Sequence, residues 1–301
     1  MSLLVTGSIG IDTLETPSGR VEDALGGSAV YFALAASLFT PVRMVGVVGD
    51  DFASAGLELL ALKDIDIRGV EVRKGARTFR WHGKYVGTMN EAETVAVKLN
   101  VLAERGATIP AAFADSRYVF LANTHPELQR DFVRQVPQAA LLVCDTMNLW
   151  IENEPQELRR LLAEVHGLVL NEGEARLLTQ KNNLVTAGRE ILKLGPRFVI
   201  IKKGEHGSLL VSRDDLFLMP PFPTENVVDP TGCGDSFAGG VMGYLAAQGR
   251  CDRDTLRAAM ARGSVVGSFV LESFSIEALS RVTRDDAEQR LARLREMTQF
   301  T

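Results

Sequence analysis

The chain has few of the residues that mark disulfide-rich or zinc-binding proteins. Its 301 residues include three cysteines, Cys144, Cys233 and Cys251, which are widely spaced and form no C-x-x-C pair. An odd, scattered set of this kind argues against a disulfide framework and against a zinc site, and it favours a reducing compartment. The four histidines are equally scattered and add no metal-ligand cluster.

Long runs of one residue type are also missing. The 33 basic and 38 acidic residues are mixed along the chain and give a formal net charge of −5. Without a basic run, the sequence predicts binding neither to nucleic acid nor to an anionic membrane. No stretch approaches ~20 apolar residues, and glycines and Asp12 closely follow the first five residues. We therefore expect no membrane span and no signal peptide, and we predict a cytoplasmic protein.

The hydrophobic content of 46% is sufficient for one large core, and we predict one domain over residues 1–301. Short, continuous apolar segments alternate with helical patterns, which predicts a mostly parallel sheet with helices on both faces, a three-layer α/β/α fold. Between 69 and 98 the pattern changes to short alternating segments, which predicts a small antiparallel sheet. The buried strands are expected at 3–6, 42–48, 118–122, 141–144, 168–170 and 198–201.

The stretch from Asp229 to Gly240 reads D-P-T-G-C-G-D-S-F-A-G-G, and a helical pattern begins at Asp235. Gly232 and Gly234 allow main-chain N–H groups to converge on an anion, and a helix N-terminus attracts phosphate. Asp235 has two interpretations. It is the N-cap that stabilises this helix, a general base beside a bound phosphoryl group, or both at once.

These residues resemble the D-T-x-G-A-G-D signature of the ribokinase-like (PfkB) carbohydrate kinases, with Pro230 and Cys233 as variants. The resemblance implies a ribokinase-like fold with a small β-sheet lid, which we place at about 13–25 and 69–98. It also implies an ATP-dependent kinase that uses Mg²⁺. In this family the G-A-G backbone forms an anion hole for the transferring phosphoryl group and the final Asp is the base. Those roles fall on Gly232, Cys233, Gly234 and Asp235.

The acceptor side of the resemblance rests on the first 31 residues. Asp12 matches by position an Asp that binds substrate hydroxyls in the family, and Gly26 and Gly27 match a glycine pair that lies against the sugar. Tyr31 stands where the family has a substrate-binding Asn. We take Tyr31 as a substrate-binding candidate, although this departure removes the usual basis for ribose recognition.

The nucleotide side rests on two further segments. N-E-G-E, from Asn171 to Glu174, resembles an N-x-x-E motif that tunes Mg²⁺ and phosphate, with Glu174 acting on the ion through water. A first-turn helix acid is the structural alternative for Glu174. The turn K-K-G-E-H-G resembles a nucleotide-binding turn, so Lys202, Gly204 and Gly207 are nucleotide-binding candidates; Lys202 is otherwise only a solvated lysine at a strand end.

Three further expectations concern the periphery of the site. Asp229 is a candidate ligand for a monovalent cation such as K⁺, although the loop E-S-F-S at 272–275 departs from the family pattern. The lid is expected to cover the acceptor and to form a homodimer. Asp50 or Asp51 is predicted to be the N-cap of a helix over 53–63.

We therefore predict a kinase that transfers the ATP phosphoryl group to a hydroxyl of a small sugar-like molecule. A nucleoside kinase of the same fold is an alternative. The lid contains Phe79, Trp81 and Tyr85, and aromatic rings of this kind are suited to stacking on a base. A catalytically silent sensor is a second alternative, suggested by Tyr31 and the 272–275 loop. A dinucleotide oxidoreductase rests only on the glycine turn at 7–10.

Overall fold

The computed structural model describes residues 2–299. Nine strands form the central sheet in the order β13-β12-β11-β10-β9-β8-β1-β4-β5. The pairs from β11 through to β5 are parallel, whereas β12 and β13 pair antiparallel at one edge. Their bounds are β1 Leu3–Thr6, β4 Val42–Gly49, β5 Ile65–Arg73, β8 Tyr118–Leu121, β9 Leu141–Asp145, β10 Gly167–Asn171, β11 Phe198–Lys202, β12 Ser208–Ser212 and β13 Leu216–Met219.

Two hydrophobic cores lie on opposite faces of this sheet. Along β1, Leu3 and Val5 pack into one core and Leu4 into the other, as the alternation of side chains along a strand requires. The predicted three-layer α/β/α fold with a mostly parallel sheet is confirmed. The helices are α1 Ser28–Ser37, α2 Ser54–Ala61, α3 Pro126–Gln135, α4 Asn148–Asn153, α5 Pro155–Leu162, α6 Glu172–Thr179, α7 Leu184–Leu192, α8 Cys233–Gln248, α9 Arg253–Val270, α10 Glu277–Arg281 and α11 Arg284–Thr298.

A second sheet of four strands, which we call the lid sheet, has the order β3-β2-β6-β7. The predicted antiparallel pairing is present between β6 and β7, but the sheet is mixed, because its central pair, β2 with β6, is parallel. The segment 69–73 also lies outside this sheet, since it continues β5, which pairs with β4. Its alternating residues fit a half-buried strand at the edge of the central sheet. The four strands are β2 Gly10–Thr16, β3 Gly19–Gly26, β6 Phe79–Tyr85 and β7 Ala92–Lys98.

The acidic pair after β4 joins the two sheets. Asp50 accepts a hydrogen bond from the Gly75 N–H at 2.7 Å, and Asp51 accepts bonds from the N–H and the hydroxyl of Thr78, both at 2.7 Å. The N-cap of α2 is Ala53, without a side-chain cap, so the prediction that Asp50 or Asp51 caps this helix is wrong. Both carboxylates instead fix the segment that leads into β6.

Among residues 2–299, no helix combines the length and the apolar character that a membrane span requires.

Candidate active site

The loop from Asp229 to Gly234 ends at the N-terminus of α8. Gly232 is the N-cap, in a left-handed conformation with φ 76° and ψ 0° that strongly favours glycine. The helix begins at Cys233, whose N–H donates to the Pro230 carbonyl at 3.1 Å, and the next amide, that of Gly234, has no partner within the helix. The predicted anion-binding loop thus has the geometry of an open helix N-terminus.

Asp235 lies in the first turn of α8 and is not its N-cap, so the N-cap interpretation of this residue is wrong. Burial, followed by the charge of Asp145, raises the pKa of Asp235 to about 7, and Lys202 opposes the shift. A carboxyl with a pKa near neutrality suits a general base, because it is ionised at neutral pH and still holds a proton well.

Lys202, at the end of β11, lies beside this loop. Its Nζ donates to Asp145 Oδ2 at 3.1 Å, and a Cβ built on Gly234 would lie only 3.0 Å from the same nitrogen. Burial alone would lower the pKa of Lys202, but Asp145, Glu174 and Asp235 outweigh it and raise the pKa. Lys202 is therefore a cation held at the rim of the anion-binding loop.

Asp145 is a site residue to which the sequence analysis assigned no role. It is the last residue of β9 and is 4% exposed. One of its oxygens accepts from the Thr146 N–H at 2.8 Å and the other from Lys202. Its position at the carboxyl end of a buried strand is the one sequence signal for the cleft, and no motif predicts its pairing with Lys202.

Asn171 and Glu174 form a capping box at the start of α6. Asn171 Oδ1 accepts from the Glu174 N–H at 2.8 Å, and Glu174 Oε2 accepts from the Asn171 N–H at 2.7 Å. Glu174 is thus a first-turn acid that stabilises α6, which was the structural alternative to a role in Mg²⁺ binding. Burial and the neighbouring Asp145 also raise the pKa of Glu174 to about 7, so its carboxyl faces the same space as the residues around Lys202.

The described residues contain no group of three or more His, Cys, Asp or Glu side chains arranged to hold a metal ion directly. The oxygens near Lys202 are carboxylates whose charges raise one another's pKa. This donor set suits a Mg²⁺ ion that keeps its waters and is bound chiefly by substrate phosphates. An indirect role of Glu174 in Mg²⁺ binding remains a prediction.

Asp12, Gly26 and Gly27 lie together on the other side of the loop. A Cβ on Gly26 would lie 1.9 Å from Asp12 Oδ2, so the Asp12 carboxylate occupies the space that a side chain would need. Asp12 is 3% exposed, and its Oδ1 has no hydrogen-bond partner among residues 2–299. Burial, followed by Asp229, raises the pKa of Asp12 to about 7, while the Gly27 N–H opposes the shift. An acceptor hydroxyl would satisfy the unpaired oxygen.

The Tyr31 ring packs against the glycine cap of α8. The side chain is 1% exposed, and its ring contacts Gly232, where an added Cβ would lie 2.3 Å from Cγ and from Cδ1. The Tyr31 hydroxyl has no hydrogen-bond partner among the described residues. Burial, followed by the charges of Asp12 and Asp229, raises the pKa of Tyr31, and Ser275 opposes the shift.

Asp229 connects two loops. It is fully buried, its Oδ1 accepts from the Thr231 N–H at 2.9 Å, and its Oδ2 accepts from the Ser275 N–H at 3.0 Å. Both oxygens are thus engaged by main-chain amides, and the loop 272–275 is fixed against the anion-binding loop. These contacts give no support to a K⁺ site at Asp229, which remains a prediction.

The lid sheet reaches both sides of the cleft. At the end of β6, Tyr85 Oη accepts a 3.4 Å hydrogen bond from the Thr231 hydroxyl. Beyond it, Asn90 Nδ2 donates to Glu205 Oε1 at 3.0 Å, and a Cβ on Gly204 would lie 2.4 Å from Asn90 Oδ1. The turn between β6 and β7 therefore contacts the turn that was predicted to bind nucleotide.

The two glycines of that turn are both in the left-handed region. Gly204 has φ 53°, and Gly207 has φ 79° with a Cβ position only 2.1 Å from the Met219 carbonyl oxygen. Gly207 therefore allows β13 to approach closely, because a side chain would collide with it. Gly204 lies against Asn90, in the turn between β6 and β7.

Comparison with known proteins places this arrangement in one family. A family model described as "pfkB family carbohydrate kinase" matches residues 4–281. The cytidine kinase of Thermococcus kodakarensis is 30% identical over 274 residues, which cover 88% of this chain and 96% of the relative.

Two solved structures share the fold. The nucleoside kinase of Burkholderia thailandensis in complex with inosine has a TM-score of 0.79 at 21% identity and covers 97% of both chains. The aminoimidazole riboside kinase of Salmonella enterica, complexed with aminoimidazole riboside and an ATP analogue, has a TM-score of 0.77 at 18% identity and covers 97% of this chain and 100% of that one.

Proposed function

We propose that this chain, which belongs to the pfkB family of carbohydrate kinases, transfers the terminal phosphoryl group of ATP to a hydroxyl of a nucleoside. The family and the relatives together support a phosphotransferase that acts on a sugar or a nucleoside. We propose a nucleoside rather than a free sugar as the acceptor because the chain is similar to a cytidine kinase along most of its length.

One observation carries the phosphoryl transfer: Asp235 lies in the first turn of α8, directly behind the glycine cap, with Lys202 at the rim. Asp235 accepts the proton of the attacking hydroxyl. The first amides of α8 and the Lys202 ammonium stabilise the charge that develops on the phosphoryl oxygens. Mg²⁺, when bound with ATP, neutralises part of the phosphate charge.

The acceptor lies against Asp12, on strand β2 of the lid sheet, in this proposal. The unpaired Asp12 Oδ1 accepts a hydrogen bond from a second hydroxyl of the acceptor and so orients the reacting one. Tyr85 and the turn around Asn90 enclose the space between acceptor and nucleotide. Enclosure excludes water, which otherwise competes as the nucleophile.

A free sugar is the second candidate acceptor, because the family is described as carbohydrate kinases. The purified protein would be assayed for ADP release with nucleosides, pentoses, hexoses and inositols. We expect turnover with nucleosides, and phosphorus NMR of the product identifies the phosphorylated hydroxyl. Turnover with sugars alone would assign the second candidate, and no turnover with any acceptor would favour a binding protein without catalysis.

A substitution tests the base. We expect Asp235→Asn to abolish turnover, because Asn accepts no proton, while the affinity for ATP stays within a few fold. The matched control is Asp214→Asn, an exposed residue in the turn between β12 and β13, which should keep full activity. Retained turnover in Asp235→Asn would contradict the assignment of the base.

A further inference from the structure

Tyr31 occupies a place that its predicted role does not explain. Three adjacent ring carbons, Cγ, Cδ1 and Cδ2, would lie 2.3, 2.3 and 2.5 Å from a Cβ built on Gly232. Nearly equal distances to three neighbouring ring atoms mean that Gly232 rests on the face of the ring. The ring therefore packs directly against the backbone of the helix cap.

The position of Gly232 determines where the first amides of α8 point. Its left-handed conformation is a local adjustment at the N-cap, after which the Cys233 N–H donates to the Pro230 carbonyl and the Gly234 N–H is the next amide of α8. Because the flat Tyr31 ring lies against the Gly232 Cα atom, it limits how far Gly232 can move toward α1. Displacement of a stabilising group by about 1 Å is enough to lower a rate about a hundredfold.

The ring itself is held firmly. Tyr31 belongs to α1, which packs so closely on α8 that a Cβ on Gly239 would lie 2.4 Å from the Phe32 carbonyl oxygen. The Ser236 hydroxyl of α8 also donates to the Tyr31 carbonyl, at a long 3.5 Å. The two helices therefore form one support, and the Tyr31 ring is the part of α1 that reaches the cap.

We propose that Tyr31 is a positioning residue for phosphoryl transfer, whose ring holds Gly232 so that the anion-binding amides face the transferring group. This inference rests on the proposed kinase activity. It differs from the sequence prediction that Tyr31 binds the acceptor, because a positioning residue of this kind affects kcat and an acceptor-binding residue affects the acceptor KM.

The first test compares Tyr31→Leu, which removes the flat ring, with Tyr31→Phe, which retains it. We expect Tyr31→Leu to lower kcat at least about tenfold while the acceptor KM stays within about threefold. Tyr31→Phe should recover most of the lost kcat. The matched control is Tyr118→Leu, which removes a buried ring from the amino end of β8 and should leave kcat within about twofold.

Two outcomes would overturn the inference. One is a Tyr31→Leu protein with unchanged kcat and a raised acceptor KM, which would restore the acceptor-binding role. The other is a loss of kcat in Tyr31→Phe equal to that in Tyr31→Leu, which would assign the effect to the hydroxyl. If Tyr31→Leu does not fold, Tyr31→Met, whose longer and more flexible side chain adapts to the space and also lacks a ring, carries the same comparison.

A binding measurement separates this inference from the proposed acceptor. Calorimetry with ADP, Mg²⁺ and aluminium fluoride, a mimic of the transferring phosphoryl group, requires no acceptor turnover. Tyr31→Leu should weaken binding in the presence of aluminium fluoride at least about tenfold and binding of ADP alone less than about threefold. Equal weakening of both would overturn the inference. The wild type could show no turnover with any nucleoside while Tyr31→Leu still weakens binding only in the presence of aluminium fluoride. That result would overturn the nucleoside assignment and leave the role of Tyr31 in place.

Discussion

Three acidic residues of the candidate site, Asp12, Glu174 and Asp235, each have a pKa of about 7. Burial is the first cause for each of them, and a neighbouring carboxylate is the second. A site that must bind the phosphates of ATP therefore carries less negative charge below neutral pH than its composition suggests. Lys202 supplies the one opposing charge common to Glu174 and Asp235.

The pH dependence of turnover should report Asp235. As a base it must be ionised, so kcat/KM should fall about tenfold per pH unit below about pH 7. We expect Asp145→Asn to shift this acid limb to lower pH. The substitution removes a negative neighbour that raises the pKa of Asp235, and it frees Lys202 to stabilise the Asp235 carboxylate.

The measurement is a pH profile of kcat/KM for the wild type and for Asp145→Asn. The exposed Asp131→Asn variant on α3 serves as the control and should leave the acid limb in place. A limb that stays in place or moves to higher pH in Asp145→Asn would contradict the assignment.

Asp12 should reduce stability at alkaline pH. Its pKa is about 7 in the folded protein against an ordinary value of 3.8. Between these values the folded state binds more protons than the unfolded state, so the free energy of unfolding falls as the pH rises from about 4 to 7. Asp12→Asn has no charge to bury and should be more stable than the wild type at pH 8, by on the order of 2–4 kcal/mol.

The check is urea unfolding at pH 5 and pH 8. The gain should be much smaller at pH 5, where most of the wild-type Asp12 is protonated in the folded state. We expect the same variant to bind the acceptor more weakly, since it loses the carboxylate. A variant less stable than the wild type at pH 8 would show that Asp12 supports the fold.

At the scale of elements, α8 is the most constrained helix of the site. It packs against α1 through Gly239 and Gly243 and against α9 through Gly240, where a Cβ would lie 2.9 Å from the Gly263 Cα atom. These contacts are with backbone atoms, which cannot rotate away. The close packing therefore fixes the axis along which α8 presents its amides.

Gly239→Ala should disrupt this packing. The new methyl group would overlap the Phe32 carbonyl oxygen, so we expect a loss of about 1–3 kcal/mol in the free energy of unfolding and a lower kcat, since α8 carries Asp235. Gly106→Ala is the matched control, because its Cβ would lie 3.5 Å from the Phe132 ring, an ordinary contact. Equal stability of the two variants in thermal unfolding would contradict the packing argument.

The sequence predicted the elements better than it predicted their partners. Continuous apolar segments such as 198–201 occur in few structures other than a buried parallel strand, so the central sheet was predictable. The segment 69–73 was assigned to the wrong sheet. An edge strand with one solvent-exposed face shows the same alternation of apolar and polar residues as a strand of the lid sheet.

The site was predictable where short motifs carry it and unpredictable where distant segments meet. The loop from Gly232 to Asp235 is local, and its geometry followed from its glycines. The Asp145–Lys202 pair joins residues 57 positions apart, and the contact of Tyr31 with Gly232 joins the first part of the chain to the last. No periodicity or spacing encodes such contacts, because they depend on the order of strands in the sheet.

At the scale of the whole molecule, β7 forms one of the two edges of the lid sheet. All seven residues of β7 are exposed, and the side chains of Val95 and Val97 are 50% and 48% exposed. An exposed strand edge with apolar side chains favours pairing with another strand. The predicted homodimer through the lid is therefore expected to pair β7 with β7 of a second copy.

Sedimentation of two variants tests this prediction. Val97→Lys places a charge on the edge and should give a monomer, whereas the wild type should sediment as a dimer. Leu218→Lys is the matched control, since Leu218 is 66% exposed on β13, at an edge of the central sheet, and should remain dimeric. A monomeric wild type would refute the dimer.

The contact between α1 and α8 also has a consequence for biosynthesis. Tyr31 and Ser236, which meet in the folded protein, are 205 residues apart. A ribosome adding roughly 5–20 residues per second needs roughly 10–40 s to make the chain between them. During that time a nascent chain has the Asp12 side of the cleft but no helix to cover the Tyr31 ring. The apolar Tyr31 ring thus stays uncovered until the last quarter of the chain is made. We expect chaperone binding to be strongest in this interval.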